Sequence, residues 1–233
     1  IILFRKTSRI KVSLKNFKPN AQIIKNIYSI AIPSGVMTSL PSILVALLNS
    51  LLATVSQTAI AFFGIYFKLQ SFIYMPANGL IQGMRPLISY NYGARHFDRV
   101  KKIIKVSIIS TAVILCCGTI IFMGLPELVL SWFNATEQLL EIGIIGLRVI
   151  SPCFILSTMG VVISGVFESL GKGRQSLTIS LLRQFIITLP LAYILLKVIG
   201  LNGIWLSFVI AEGIASVIAV ILIKKELHNF KVD

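Results

Sequence analysis

The residues able to do chemistry in this sequence are the few ionisable ones set inside long apolar runs. They are Lys68, Arg183 and Glu212, with Arg148 and Glu168 as weaker members of the set. Ionisable side chains are rare in lipid, and those that occur there serve a pathway or a partner. Glu212 stands near the centre of its run, where a carboxylate can bind a proton or a cation. The competing role is an ion pair with Lys68 or Arg183 that only fixes packing. Lys68 also lies near the middle of a run, where insertion costs about 2.5–3.5 kcal/mol. It is expected to face the bundle interior or a wet cavity, with snorkelling along a tilted helix as the alternative. Glu168 is expected at an interface, tied to Lys172 or Arg174.

No enzyme constellation accompanies these charges. The two histidines, His96 and His228, fall in basic segments outside the runs and read as surface residues. Nothing matches the spacing of a nucleophile elbow, a zinc-protease helix or a phosphate loop, so no catalytic residue and no metal ligand is assigned. Gly171-Lys-Gly-Arg174 reads as a turn between helices. The adjacent Cys116 and Cys117 sit inside an apolar run and read as small helix residues.

The elements that must position the charges follow from composition. The chain is 56% hydrophobic and 13% charged, against about 25% charged in soluble domains. Six runs are long enough to cross a ~30 Å hydrocarbon core: about 27–49, 57–82, 103–124, 142–167, 176–198 and 204–223. The first holds Pro33, Gly35 and Pro41, so a kinked helix is expected. After the second come Gln82, Pro86, Asn91, Tyr92 and Gly93, within Gly79–Arg95. That stretch reads as a helix broken and turned at a membrane surface, ahead of a basic segment from Arg95 to Lys105.

A net charge of +14 raises nucleic acid as a partner, but the Lys and Arg residues gather at the ends of the runs and argue against it. Of 22 such residues, 18 fall on one side if there are six spans. That bias puts both ends of the chain in the cytoplasm. The organisation expected is a linker at 1–25, a six-helix membrane lobe at 26–225 and a cytoplasmic tail at 226–233. The opening Ile-Ile-Leu-Phe reads as the tail of a preceding helix, so a fragment of a longer protein is expected.

The stretch Gly64–Arg95 resembles the start of the C-terminal half of bacterial multidrug and toxic compound extrusion (MATE) transporters. Gly165-Val-Phe-Glu-Ser-Leu-Gly-Lys-Gly-Arg-Gln-Ser-Leu, Leu182-Arg183-Gln184 with Pro190, and Gly203-Ile-Trp-Leu-Ser-Phe with Ala211-Glu212 are similar to the same family. The resemblance implies an all-α membrane protein in which this chain is one six-helix lobe of a twelve-helix transporter, with 1–25 as the inter-lobe loop. It implies a bacterial plasma membrane location and an N-terminal six-helix lobe as partner. It further implies efflux of cationic or amphipathic small molecules, drug or metabolite, driven by protons or sodium and needing no cofactor. Lys68, Gln82, Pro86, Asn91, Tyr92, Gly93, Arg183 and Glu212 are the matched positions. On this reading Lys68, Arg183 and Glu212 are pathway candidates, while Gln82, Pro86, Asn91, Tyr92 and Gly93 shape the turn. The acids that some members carry in the seventh helix have no counterpart in 27–49, and the tenth-helix equivalent has only Glu168, at its end. Two alternatives stay open: a lipid-linked oligosaccharide flippase of the same superfamily, and a non-transporting remnant of a truncated gene.

Overall fold

The computed structural model describes residues 19–229. The basic residues up to Lys18, and Lys231 in the tail, lie outside the described residues. Nine α-helices follow in order: α1 (Ala21–Leu52), α2 (Gln57–Gly93), α3 (Phe97–Gly124), α4 (Pro126–Ser131), α5 (Glu137–Ile150), α6 (Pro152–Ser169), α7 (Gly173–Leu181), α8 (Thr188–Ile199) and α9 (Leu201–Asn229). A π-helical segment, Leu182–Ile187, joins α7 to α8. Among the described residues, six helices are long and apolar enough to cross a membrane, with α7, the π segment and α8 counted as one.

Local chemistry sets the ends of these helices. Asn20 caps α1, its side chain accepting from the Gln22 and Ile23 N–H groups, and Ser56 caps α2 through the Ala59 N–H. The first helix therefore begins at Ala21 and includes Lys25, and the last one runs on to Asn229. Gly200, in a left-handed conformation (φ 73°), ends α8. Gly203 then passes so close to α8 that a Cβ would lie 2.2 Å from the Leu195 carbonyl oxygen.

The expected break in Gly79–Arg95 is absent. α2 continues as one helix through Pro76, Gly79, Gly83 and Pro86 to Gly93. At 37 residues it is about 55 Å long and outreaches the hydrocarbon core. The turn comes at Ala94–His96, and the residue that takes the left-handed conformation is Arg95 (φ 58°), not a glycine. The Asn91 carbonyl accepts the His96 N–H at 2.8 Å, closing this turn. α1 likewise runs on through Pro33 and Pro41.

The opposite difference occurs in the fourth run. It divides at Ser151–Pro152 into α5 and α6, because Pro152 has no N–H to offer Arg148 and its ring crowds that turn. Ser151 stays in the helical region (φ −56°, ψ −37°), so the chain bends there without unwinding.

Two apolar clusters hold the helices together. One gathers Phe62, Phe63, Tyr66, Phe154, Trp205 and Phe208 toward one end. The other gathers Ile81, Met84, Ile88, Val162, Phe167 and Ile223 toward the end where α2 turns into α3. Lipid tails are as apolar as these side chains, so close packing replaces the hydrophobic effect as the cohesive force. Gly146 shows how close: a Cβ there would meet the Phe62 ring at 2.4 Å. Between the clusters each helix carries polar groups: Tyr74 on α2, Ser107 and Thr111 on α3, Ser157 and Thr158 on α6, Glu212 and Ser216 on α9.

Candidate functional site

α2 supplies one wall of the site. Gln70, Tyr74, Asn78 and Gln82 recur every four residues and share one face of the helix. They line a cavity of about 680 Å³ whose other walls come from α1, α6, the π segment, α8 and α9. Phe67, Tyr74 and Phe208 form its aromatic surface. The Tyr74 hydroxyl is held against Ser157 Oγ at 2.5 Å, which fixes the ring.

The π segment supplies the opposite wall, and proline chemistry accounts for it. Pro190 denies a donor to Ile186 and crowds the preceding turn, and a wider turn relieves that crowding. Thr188 Oγ1 donates to the Arg183 carbonyl five residues back, supporting the wider turn. With the helix widened there, the adjacent side chains Arg183 and Gln184 both reach the cavity. In a regular helix neighbours point about 100° apart.

Arg183 meets Glu212 of α9 in the cavity wall, Nε to Oε1 at 3.5 Å. The side chains keep 21% and 14% exposure, enough to be reached from the cavity while largely screened. Glu212 Oε2 and Gln184 Oε1 have no hydrogen-bond partner. One cation and one anion face the same space, so the wall is formally neutral there, surrounded by carboxamides and hydroxyls. It can hold a polar or charged head group beside an aromatic body. Among the described residues no three His, Cys, Asp or Glu side chains converge as a metal site would need.

The pathway candidates therefore separate. Arg183 and Glu212 come together, and Gln82 joins their cavity. Lys68 does not: it is exposed on α2 and does not line the cavity, and Arg148 is exposed on α5. Pro86 is exposed within α2, and Gly93 is that helix's last residue. Asn91 is buried at the same end, where its side chain donates to the Leu87 carbonyl at 2.8 Å. Tyr92 packs edge-on against Phe97, with ring centres 6.0 Å apart. Glu168 pairs with Arg85 at 2.8 Å rather than with Lys172 or Arg174, because the unbroken α2 carries Arg85 to the end of α6. Lys172 pairs with Glu226 of α9 at 2.5 Å. Sequence reasoning missed Gln70, Tyr74 and Asn78. Their signal was the four-residue polar recurrence ending at Gln82.

A family model described as MatE matches residues 33–194, more than half of the chain. The chain belongs to the MatE family. Among curated proteins, this MatE chain is 31% identical over 235 residues to the multidrug export protein MepA of Staphylococcus haemolyticus, and 31% identical over 234 residues to MepA of Staphylococcus aureus. All of the chain is covered in both matches, against 51% of each relative, so it spans about half their length. Among solved structures, the outward-facing form of a multidrug resistance MATE transporter of the MOP superfamily superposes with a TM-score of 0.92 at 21% identity. That match covers 99% of this chain and 52% of the other. A MOP superfamily transporter from Pyrococcus furiosus, described as having a binding pocket of reversed polarity, gives 0.91 at 21% identity and covers 99% and 52%. At that identity the likeness concerns the fold: one six-span lobe of a MatE-type transporter.

Proposed function

We propose that this chain is one lobe of a secondary transporter that exports cationic or amphipathic small molecules in exchange for protons or sodium ions. The observation that carries the reading is the mid-bundle cavity with Arg183 and Glu212 facing each other in its wall. A charge pair set among membrane-spanning helices and open to a cavity is where a charged cargo or a coupling ion can be exchanged. The multidrug export names of the similar staphylococcal proteins support the same reading. So does the match to half of each relative, which leaves room for a second six-helix lobe as partner. We place the complete transporter in a bacterial plasma membrane, with the basic ends of the helices in the cytoplasm. It needs no cofactor beyond the coupling ion.

A flippase for lipid-linked pyrophosphates would be served by several unpaired cations. In the described cavity wall Arg183 stands alone and is already paired, which weighs against that reading.

Transport by the complete protein in sealed vesicles tests the proposal. A fluorescent organic cation loaded with it should be expelled when an inward proton or sodium gradient is imposed. Retention of the dye under both gradients would overturn the reading.

A further inference from the structure

We infer that the Arg183–Glu212 pair is a separable ion pair that selects zwitterionic amphiphiles, each charge of the ligand docking on one partner. The inference rests on the efflux reading and specifies which cargo the cavity favours.

Three observations carry it. First, both partners line one cavity, so a ligand there meets a cation and an anion together. Second, the contact is a single one at 3.5 Å, whereas the pairs at the end of the bundle close to 2.8 and 2.5 Å. Less is lost by opening it. Third, Glu212 Oε2 is buried without a donor, and so is Oε1 of Gln184, a residue only 9% exposed. An ammonium group placed between these two oxygens would meet a charge-assisted and a neutral acceptor at once.

Charge balance then decides the ligand class. A monocation entering beside Glu212 leaves Arg183 without its counter-charge and adds a second positive charge nearby. Both effects are costly where water is scarce. A zwitterion avoids them. Its ammonium takes Glu212, its carboxylate takes the guanidinium edge that Glu212 releases, and every charge keeps a partner. Phe67, Tyr74 and Phe208 offer the aromatic wall for an apolar body.

The test uses the complete transporter, fluorescence titration, and two probes that differ only in the carboxylate: Nε-dansyl-lysine and its methyl ester. Mildly acidic pH keeps both amines protonated. The unaltered protein should bind the zwitterion more tightly than the ester. Arg183→Gln should weaken the zwitterion about tenfold and tighten the ester, since Glu212 is then left free to take a cation. Arg183→Lys should restore the preference for the zwitterion. Combining Arg183→Gln with Glu212→Gln removes both charges without stranding either, and this protein should bind both probes weakly and without preference. Equal changes for the two probes in Arg183→Gln would overturn the inference, as would retained preference in the double variant. If the unaltered protein binds the ester but not the zwitterion, this inference fails and the efflux reading survives. If it binds neither, both fall.

Discussion

The charge pairs of this lobe come in two kinds, and their placement sets them apart. Arg85–Glu168 and Lys172–Glu226 sit at the end where α2 turns into α3. They are short, at 2.8 and 2.5 Å, and they tie α2 to α6 and the α6–α7 turn to α9. Further bonds strengthen that end: Ser89 Oγ donates to the Ser169 carbonyl at 2.8 Å, and Ser176 Oγ to Glu168 Oε1 at 3.2 Å. Arg183–Glu212 sits mid-bundle, is longer, leaves a carboxylate oxygen free and faces a cavity. The same two side-chain types thus serve as a clasp where they close on each other, and as a receptor where they remain partly unsatisfied.

The largest effect should follow from Glu212→Gln. In the complete transporter we expect at least a tenfold loss of gradient-driven dye efflux, because the carboxylate offered to cargo or coupling ion is gone. The change also strands Arg183, and breaking a buried pair costs roughly 3–5 kcal/mol. Efflux must therefore be compared at matched protein levels, with the Arg183→Gln, Glu212→Gln double variant as the control that folds without a stranded charge. Normal efflux from Glu212→Gln would remove the difference drawn between the two kinds of pair.

Next in size is the π segment. Deleting Ile186 should return Leu182–Ile187 to an α-helical register and turn Arg183 away from α9 by about 100°. We expect efflux to fall several-fold while the six spans still insert. A cysteine pair at positions 183 and 212 should cross-link efficiently in the parent register and poorly after the deletion. Equal cross-linking in both would show that the π segment does not position the pair.

These two changes also mark what the sequence could and could not reveal. Glu212 and Arg183 were legible because charge inside an apolar run is costly and so stands out. Their pairing was legible only as one of two options, since Lys68 carries the same charge and lies as deep in its run. The helix face settles the choice: Lys68 is exposed, while its neighbours Phe67 and Gln70 line the cavity. The six spans were legible from length and hydropathy, but their continuity was not. Four prolines inside α1 and α2 leave those helices unbroken, whereas Pro152 divides α5 from α6 and Pro190 lies just beyond a π turn. A proline always removes a donor. Whether the helix bends, widens or merely continues depends on the neighbouring side chains and helices that take up the freed carbonyl.

A smaller effect is expected at the clasp. Glu226→Gln should leave efflux within about twofold while lowering thermal stability. The bond lost joins a charged donor to a charged acceptor, a contribution of about 1.5–3 kcal/mol, which corresponds to a drop of several degrees in Tm. Glu226 is 8% exposed, so water replaces the missing partner poorly. An efflux loss as large as that of Glu212→Gln, with Tm unchanged, would reverse the roles assigned to the two regions.

The smallest effect is expected from Lys68→Gln, and it sharpens the boundary between cargo-facing charge and mere charge in a span. Lys68 lies on the exposed side of α2, and its long stem can carry the ammonium along the helix surface toward more polar surroundings. Removing the charge spares α2 the cost of holding an ammonium in an apolar run, so stability should be unchanged or slightly higher. Cargo binding should be unchanged as well, since the Arg183–Glu212 pair keeps its balance without it. Titrating the dansyl probes against Lys68→Gln checks this: affinities within twofold of the parent fit the placement. A tenfold change for either probe would mean that the exposed face of α2 also meets cargo, and the receptor region would then extend beyond the cavity to that face.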